Sequence, residues 1–253
     1  TLDRSSAASD VYKRQDVHMG NCGDACAKEY KISREAQDEY AAGSFRKALA
    51  AQKEGLFDAE ITPVSVPQRK GDPVLVKMDE GPGKGDPSKF ASLRAAFSKD
   101  GTITAANASS INDGASALIL ASEDAVKKHG LTPLARITGY AGAAQAPEWF
   151  TTAPAKAMDA VATKLGIKLG DVDLVEINEA FAVVAMVSAD LCKIDHARVN
   201  VRGGAVALGH PIGSSGARIL TTLTHALIQQ NKKRGLASIC IGGGEALALV
   251  IER

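Results

Sequence analysis

Asp173-Leu174-Val175-Glu176-Ile177-Asn178-Glu179-Ala180-Phe181-Ala182, continued by VVAMVSADL to Leu191, reads as a strand running directly into a helix. Asp173–Ile177 is a short run with alternating β-branched residues, and Glu179–Leu191 is long and apolar enough for a buried helix. Working outward, strand Ala135–Tyr140 and helix Ala155–Leu165, stopped by Gly166, precede it. Helix Ser214–Gln230 and strands Ala237–Ile241 and Ala246–Ile251 follow. Apolar strands alternating with helices specify an α/β sheet covered by helices. Upstream, Ser33–Gly55 predicts a long helix with Ser33 as N-cap and Glu35 in the first turn. Two β-rich runs (Glu60–Val66 and Pro73–Met78), a Gly/Pro loop (Asp79–Pro87) and a short helix (Ser88–Phe97) come next. Ala117–Ala121 reads as a buried strand, and Ser122 caps a helix that Gly130 ends.

Three loops carry groups with chemical potential. Asn178 lies where a strand becomes a helix, the place where ligands gather in open α/β sheets. Its amide can donate to a substrate oxygen or a held water, or it simply caps the helix. The second loop, GGAVALGHPIGSSGAR (Gly203–Arg218), places His210 among glycines at 203, 204, 209, 213 and 216 and feeds a helix N-terminus. His210 Nε2–H can stabilise an oxyanion, or the loop is a glycine cradle for phosphate with the histidine incidental. It lacks the Lys-Ser/Thr of a P-loop and the G-x-G-x-x-G dinucleotide spacing. In the third loop Cys240 ends a strand before Gly242-Gly243-Gly244. A nearby imidazolium or helix terminus would lower the thiol pKa and make a nucleophile or an acid/base, whereas most lone cysteines are structural.

Composition narrows the classes. The 253 residues hold 30 Lys plus Arg against 29 Asp plus Glu, a formal charge of +1, which leaves no electrostatic footprint for nucleic acid or an anionic membrane. No apolar run approaches the roughly 18 residues of a membrane span. Cys22, Cys26, Cys192 and Cys240 are too sparse for a disulfide framework, and Cys22-x3-Cys26 lacks a second ligand pair for zinc. A reducing compartment follows. Residues 1–15 show no hydrophobic period and read as a non-native leader.

Taken in order, HMGNCGDACAKEY, ISREAQDEYA, TAANASSINDGASALIL, EINEAFAVVA, VNVRGGAVALGHPIGSSGARIL and GLASICIGGGEALALVIE resemble the thiolase family, most closely its acetyl-CoA C-acetyltransferase branch, over about Asp16 to Arg253. The resemblance implies the five-layer αβαβα thiolase fold. It divides the chain into a CoA-binding loop domain (16–111), the end of the N-terminal domain (112–133) and a C-terminal α/β domain (134–253). It implies an acyltransferase that condenses two acetyl-CoA into acetoacetyl-CoA and CoA, reversibly. No cofactor is needed, because coenzyme A is part of substrate and product. Cys240 matches the cysteine that takes the α-proton. His210 matches the histidine that activates the nucleophile and, with a water held by Asn178, stabilises the enolate oxygen. Gly242 matches a backbone N–H of the thioester oxyanion hole.

By the same resemblance His18 and Met19 line the short acyl pocket, with Phe150 and Phe181 beside it. Lys84, Gly85, Asp86 and Lys89 match the CoA-binding loop, and Ser109 a pantetheine contact; lysines in such a stretch are otherwise solvated. Potassium-activated members use carbonyls matched by Ala105, Ala106, Ala108 and Val206 plus a tyrosine hydroxyl. Phe45 stands at the tyrosine position with no oxygen to give, so a potassium site is not expected.

The family's N-terminal half, with its nucleophilic cysteine, is absent from this sequence, so the expectation is a C-terminal fragment, inactive alone and exposing an apolar patch. The parent would be a homodimer or homotetramer. It would be cytoplasmic or mitochondrial, since a transit segment would precede residue 16. Rival readings are a broad-specificity 3-ketoacyl-CoA thiolase, against which the His18-Met19 pair argues, and a non-catalytic CoA- or lipid-binding half-protein.

Overall fold

The computed structural model describes residues 17–253; the expected leader lies outside them. Two helices open the described chain. Helix α1, Met19–Glu29, starts where His18 Nδ1 accepts from Gly20 N at 3.1 Å. Sequence reasoning did not anticipate it. Helix α2, Arg34–Lys53, has the expected cap, Ser33 Oγ accepting from Ala36 N at 3.1 Å. Its buried residues Gln37, Ala41, Ser44, Phe45, Ala48 and Ala51 recur at helical spacing and form one inward face.

A two-stranded antiparallel hairpin follows, β1 (Val64–Val66) and β2 (Val74–Val76), within the two β-rich runs. The Gly/Pro loop contains one helical turn, α3 (Gly81–Lys84), and the helix expected over Ser88–Phe97 is a 3-10 turn over Pro87–Ser92. Helix α4, Glu123–His129, keeps its Ser122 cap and its left-handed Gly130 end.

Ala117–Ala121 is not a buried strand. Among the described residues no strand lies beside it to complete a ladder, and its apolar side chains face outward, Ile119 93% and Leu120 74% exposed. An apolar run has the composition of a central strand, but it becomes one only where neighbours supply hydrogen bonds and cover.

The C-terminal half is a four-stranded mixed sheet in the order β3-β6-β5-β4. Strand β3 (Arg136–Ala144) and β5 (Arg234–Ile241) flank β6 (Glu245–Glu252) antiparallel, and β4 (Leu174–Ile177) joins β5 in parallel. Period-two alternation assigns the faces. Val175, Ile177, Leu236, Ala246, Ala248 and Val250 pack against helices α5 (Ala153–Leu165) and α6 (Ala182–Leu191). Leu174, Ala237 and Ile251 pack against Ile219, Leu223 and Leu227 of α8 (Ser215–Gln229); a single turn, α7 (Ala205–Leu208), precedes it. Helices therefore cover both faces of a mixed sheet, the partial thiolase architecture expected. Helix α6 begins three residues later than its sequence suggested, at Ala182 behind Phe181, so Asn178 does not cap it. Those three residues form the turn of the site.

Candidate functional site

Strands β4 and β5 run parallel, so their carboxyl ends open on the same side of the sheet. Asn178 leaves β4 with its backbone N–H donating to Ser238 O on β5 at 2.9 Å. Cys240 ends the same stretch of β5. It has the parity of Leu236 and faces the side on which α6 packs, where it touches a cluster containing Phe150, Phe181, Val183, Cys22 and Cys26.

His210 arrives from the glycine-rich loop. Gly209 precedes it at φ +92, a conformation open to glycine, and a Cβ there would meet Asn112 Oδ1 at 2.3 Å. The ring is fixed from two sides. Nδ1 lies 2.6 Å from Ser215 Oγ, which gives its own proton to Pro211 O at 3.0 Å, so the proton of this pair sits on Nδ1. Nε2 lies 3.4 Å from Asn178 Nδ2 and is the lone-pair nitrogen. Burial first, and the positive Arg218 second, push His210 down to about 4. The imidazole is neutral at pH 7 and its free nitrogen is a base. Asn178 Oδ1 is buried and has no hydrogen-bond partner among the described residues, which fits an amide oxygen held to accept from a water.

The electrostatics correct one expectation. No imidazolium is present to lower Cys240, and burial pushes its thiol up to about 12. The resting site is a neutral pair, thiol and imidazole.

A single segment, 107–111, stitches the two loops together. Ser109 N and Oγ both donate to Ala180 O, at 3.0 and 2.9 Å, and His210 N donates to Ser110 O at 2.9 Å. Ser109 is thus tied to the Asn178 turn. A shallow cleft of about 300 Å³, lined by Asn112–Ser116 and Pro211–Ser214, opens beside His210.

An aromatic wall lies close by. His18 stacks on Phe97 with centroids 4.7 Å apart, and Phe97 meets Phe181 edge-on at 6.3 Å. Met19 packs on the same cluster as Phe150 and Phe181. Phe97 was missed by sequence reasoning; a large apolar side chain at the end of a polar loop, in a chain with only six phenylalanines, was the available signal. The structure brings Cys240, Met19, Phe150 and Phe181 into one apolar cluster, joins Asn178 to His210 by a hydrogen bond, and ties Ser109 to Ala180, two residues beyond Asn178. Gly242 is buried at the β5–β6 turn.

The four loop residues lie apart from this pair. Lys84 pairs with Glu80, and Lys89 with Asp86 at 2.9 Å, both on the surface. Gly85 packs on the Phe45 ring, and Gly81 approaches Ala207 O so closely that a Cβ would lie 2.6 Å from it. The loop is thereby seated on α7, directly before His210. Ala106, Val206 and Phe45 join Phe90 in an apolar cluster, next to Ala105 in sequence, whereas Ala108 packs on the cluster of Phe150 and Phe181. No three His, Cys, Asp or Glu side chains among the described residues gather as a metal set. No helix among them is long and apolar enough to cross a membrane.

Comparison with known proteins places the sequence and the fold among thiolases. Residues 4–124 match the family model for the thiolase N-terminal domain and residues 131–253 that for the thiolase C-terminal domain. The chain belongs to the thiolase family. It is 51% identical to acetyl-CoA acetyltransferase 1 of Arabidopsis thaliana over 245 residues, 96% of this chain and 59% of that protein. The crystal structure of human mitochondrial 3-ketoacyl-CoA thiolase superposes with a TM-score of 0.94 at 40% identity, over 100% of this chain and 64% of that one. Acat5 thiolase from Ascaris suum, solved in complex with coenzyme A, gives 0.88 at 47% identity over 94% and 60%. The chain spans about three fifths of the length of the curated relatives it matches.

Proposed function

We propose that this chain supplies the enolate-forming part of an acetyl-CoA acetyltransferase, whose whole reaction joins two acetyl-CoA into acetoacetyl-CoA and CoA. The Cys240 thiol gives its proton to His210 Nε2, and the thiolate so formed takes a proton from the α-carbon of acetyl-CoA while the C–H electron pair moves into the enolate. His210, having gained a proton at Nε2, and a water held by Asn178 face the oxygen where negative charge develops. The enolate carbon attacks an acetyl group carried on a second cysteine, whose thiolate leaves and takes the proton from His210 Nε2, so that Cys240 is again a thiol and the imidazole again neutral. His18, Met19, Phe97, Phe150 and Phe181 bound the acyl end; Lys84, Gly85, Asp86, Lys89 and Ser109 attend the CoA chain. Gly242 N–H belongs to the oxyanion hole of the acyl-enzyme. Assembly as a homodimer or homotetramer belongs to the same reading.

The observation that carries this is the Asn178–His210 pair. It holds a neutral imidazole with its free nitrogen 3.4 Å from an amide whose oxygen has no partner. An enolate demands such groups because thioester α-protons are weakly acidic. The test is proton exchange. The chain in D2O should wash the methyl protons out of acetyl-CoA, followed by NMR, and Cys240→Ala should stop it. Binding of acetyl-CoA without exchange would leave a CoA-binding module instead.

The likeness to a 3-ketoacyl-CoA thiolase favours a second reading with longer substrates. Faster exchange of a long-chain acyl-CoA than of acetyl-CoA would select it.

A further inference from the structure

Glu179 follows Asn178 and is completely buried, yet no cation lies within ion-pair distance of it among the described residues. A buried carboxylate without a counter-ion persists only when donors surround it. Four do. Oε1 accepts from Tyr40 OH at 3.1 Å and Asn200 Nδ2 at 2.9 Å; Oε2 accepts from Ser44 Oγ at 2.8 Å and the backbone N–H of Val206 at 3.1 Å. Lys47, held by Val199 O at 3.1 Å, and Glu176 are charged groups that feel its field.

The four donors belong to three pieces of chain. Tyr40 and Ser44 stand on α2, one turn apart. Asn200 plugs the end of β4, donating to Ile177 O and accepting from Ile177 N, both at 2.8 Å, as a neighbouring strand would. Val206 lies on the turn leading to His210, and Ser44 Oγ also accepts from Gly204 N at 2.9 Å. Gly204 has to be glycine here, because a Cβ would lie 2.3–2.6 Å from the Glu179 carboxyl.

We propose that Glu179 is a positioning residue, fastening the turn that carries Asn178 and the loop that carries His210 to one helix. One carboxylate oxygen serves the strand side and the other serves the loop side, so the 3.4 Å separation of Asn178 and His210 is set through Glu179. This rests on the reading of Asn178 and His210 as one reacting site.

Glu179→Gln tests it, since the amide presents N–H groups to donors on one side. A misplacement of about 1 Å costs on the order of a hundredfold in rate. Methyl-proton exchange of acetyl-CoA should therefore fall about tenfold to a hundredfold, with CoA affinity kept within about twofold. The ¹⁵N resonances of His210, assigned against His210→Gln, should move. Leu227→Ala, a buried change on α8 away from the site, controls for lost stability and should leave those resonances in place. If Glu179→Gln does not fold, Ser44→Ala and Tyr40→Phe each remove one donor and take the same measurements. Unchanged exchange and unchanged His210 resonances would overturn the proposal. Should the unaltered chain show no exchange, the enolate reading falls, and the His210 resonances alone decide: moved they support the positioning role, unmoved they refute it.

Discussion

Ser215 Oγ lies 2.6 Å from His210 Nδ1 while donating its own proton to Pro211 O, and this relay decides which imidazole nitrogen is free. Ser215→Ala leaves a buried Nδ1–H without an acceptor, at a cost of about 1–3 kcal/mol. Urea unfolding should register that loss. The His210 ¹⁵N shifts should show the proton redistributed between the two nitrogens, and acetyl-CoA exchange should drop.

Stability should fall as the solution becomes alkaline. Glu60 is raised to about 7 and Glu176 to about 8, in both mainly by burial. Arg202 and Arg218 oppose those shifts, and Asp79, also raised by burial, adds to that of Glu60. The folded chain thus holds protons that the unfolded chain releases above its ordinary carboxylate range, and folding weakens from about pH 4.5 to 8. His210, favouring the fold as pH rises from about 4 to 6.5, and His225, also lowered by burial, act in the opposite sense, against the three raised carboxylates Glu60, Asp79 and Glu176. Thermal melts at pH 5 and pH 8 should show the higher Tm at pH 5. Glu176→Gln, close in shape to the protonated acid, should narrow that gap; an unchanged gap would count against the assignment.

The aromatic wall depends on an absent side chain. A Cβ at Gly20 would meet the Phe97 ring at 2.1–2.3 Å, so Gly20→Ala drives Phe97 off His18. The expected destabilisation is about 1–3 kcal/mol, typical of overpacking. Ring-current shifts of the His18 protons would be lost, and acetyl-CoA should bind more weakly. Retained shifts would mean the wall adjusts as a unit.

The other cysteines are held as thiols. Burial pushes Cys22 and Cys26 up to about 11 and Cys192 to about 12. Cys22 and Cys26 lie within α1 and Cys192 at the end of α6, and among the described residues none of the three is hydrogen-bonded to an imidazole that would take its proton. The 253-residue chain is therefore expected to exchange methyl protons without thiolysing acetoacetyl-CoA. Thiolysis above background, followed at the absorbance of the acetoacetyl enolate, would show that one of these thiols is more reactive than its surroundings imply.

How far the sequence could be read depended on where each signal lies. Ser33, Ser122, Gly130 and Gly166 announce helix ends because capping is local chemistry, and each stands where expected. Strand β4 was readable because it is buried on both faces, whereas the largely exposed β3 runs four residues beyond its expected end at Tyr140. Ala117–Ala121 was misread because its fate depends on neighbours that composition cannot reveal. Asn178, His210 and Cys240 were chosen for being reactive types on glycine-rich loops. Glu179 passed as ordinary helix, since its importance lies in donors contributed by Tyr40 and Ser44, about 140 residues away in sequence. The depressed basicity of His210 and the raised Cys240 thiol follow from burial, which no motif encodes.

Ser109 and Ser110 are neighbours in the chain, yet one is bonded to the wall that carries Asn178 and the other to the wall that carries His210. One peptide unit, about 3.8 Å between Cα atoms, therefore acts as a gauge block across the mouth of the site. The two bonds leave from Ser109 N and Ser110 O, so the backbone torsions of these two residues set how far apart the two walls stand. A single residue inserted between Ser109 and Ser110 would shift one wall against the other, which loss of the Ser109 hydroxyl would not, because the Ser109 N–H donates to the same Ala180 O.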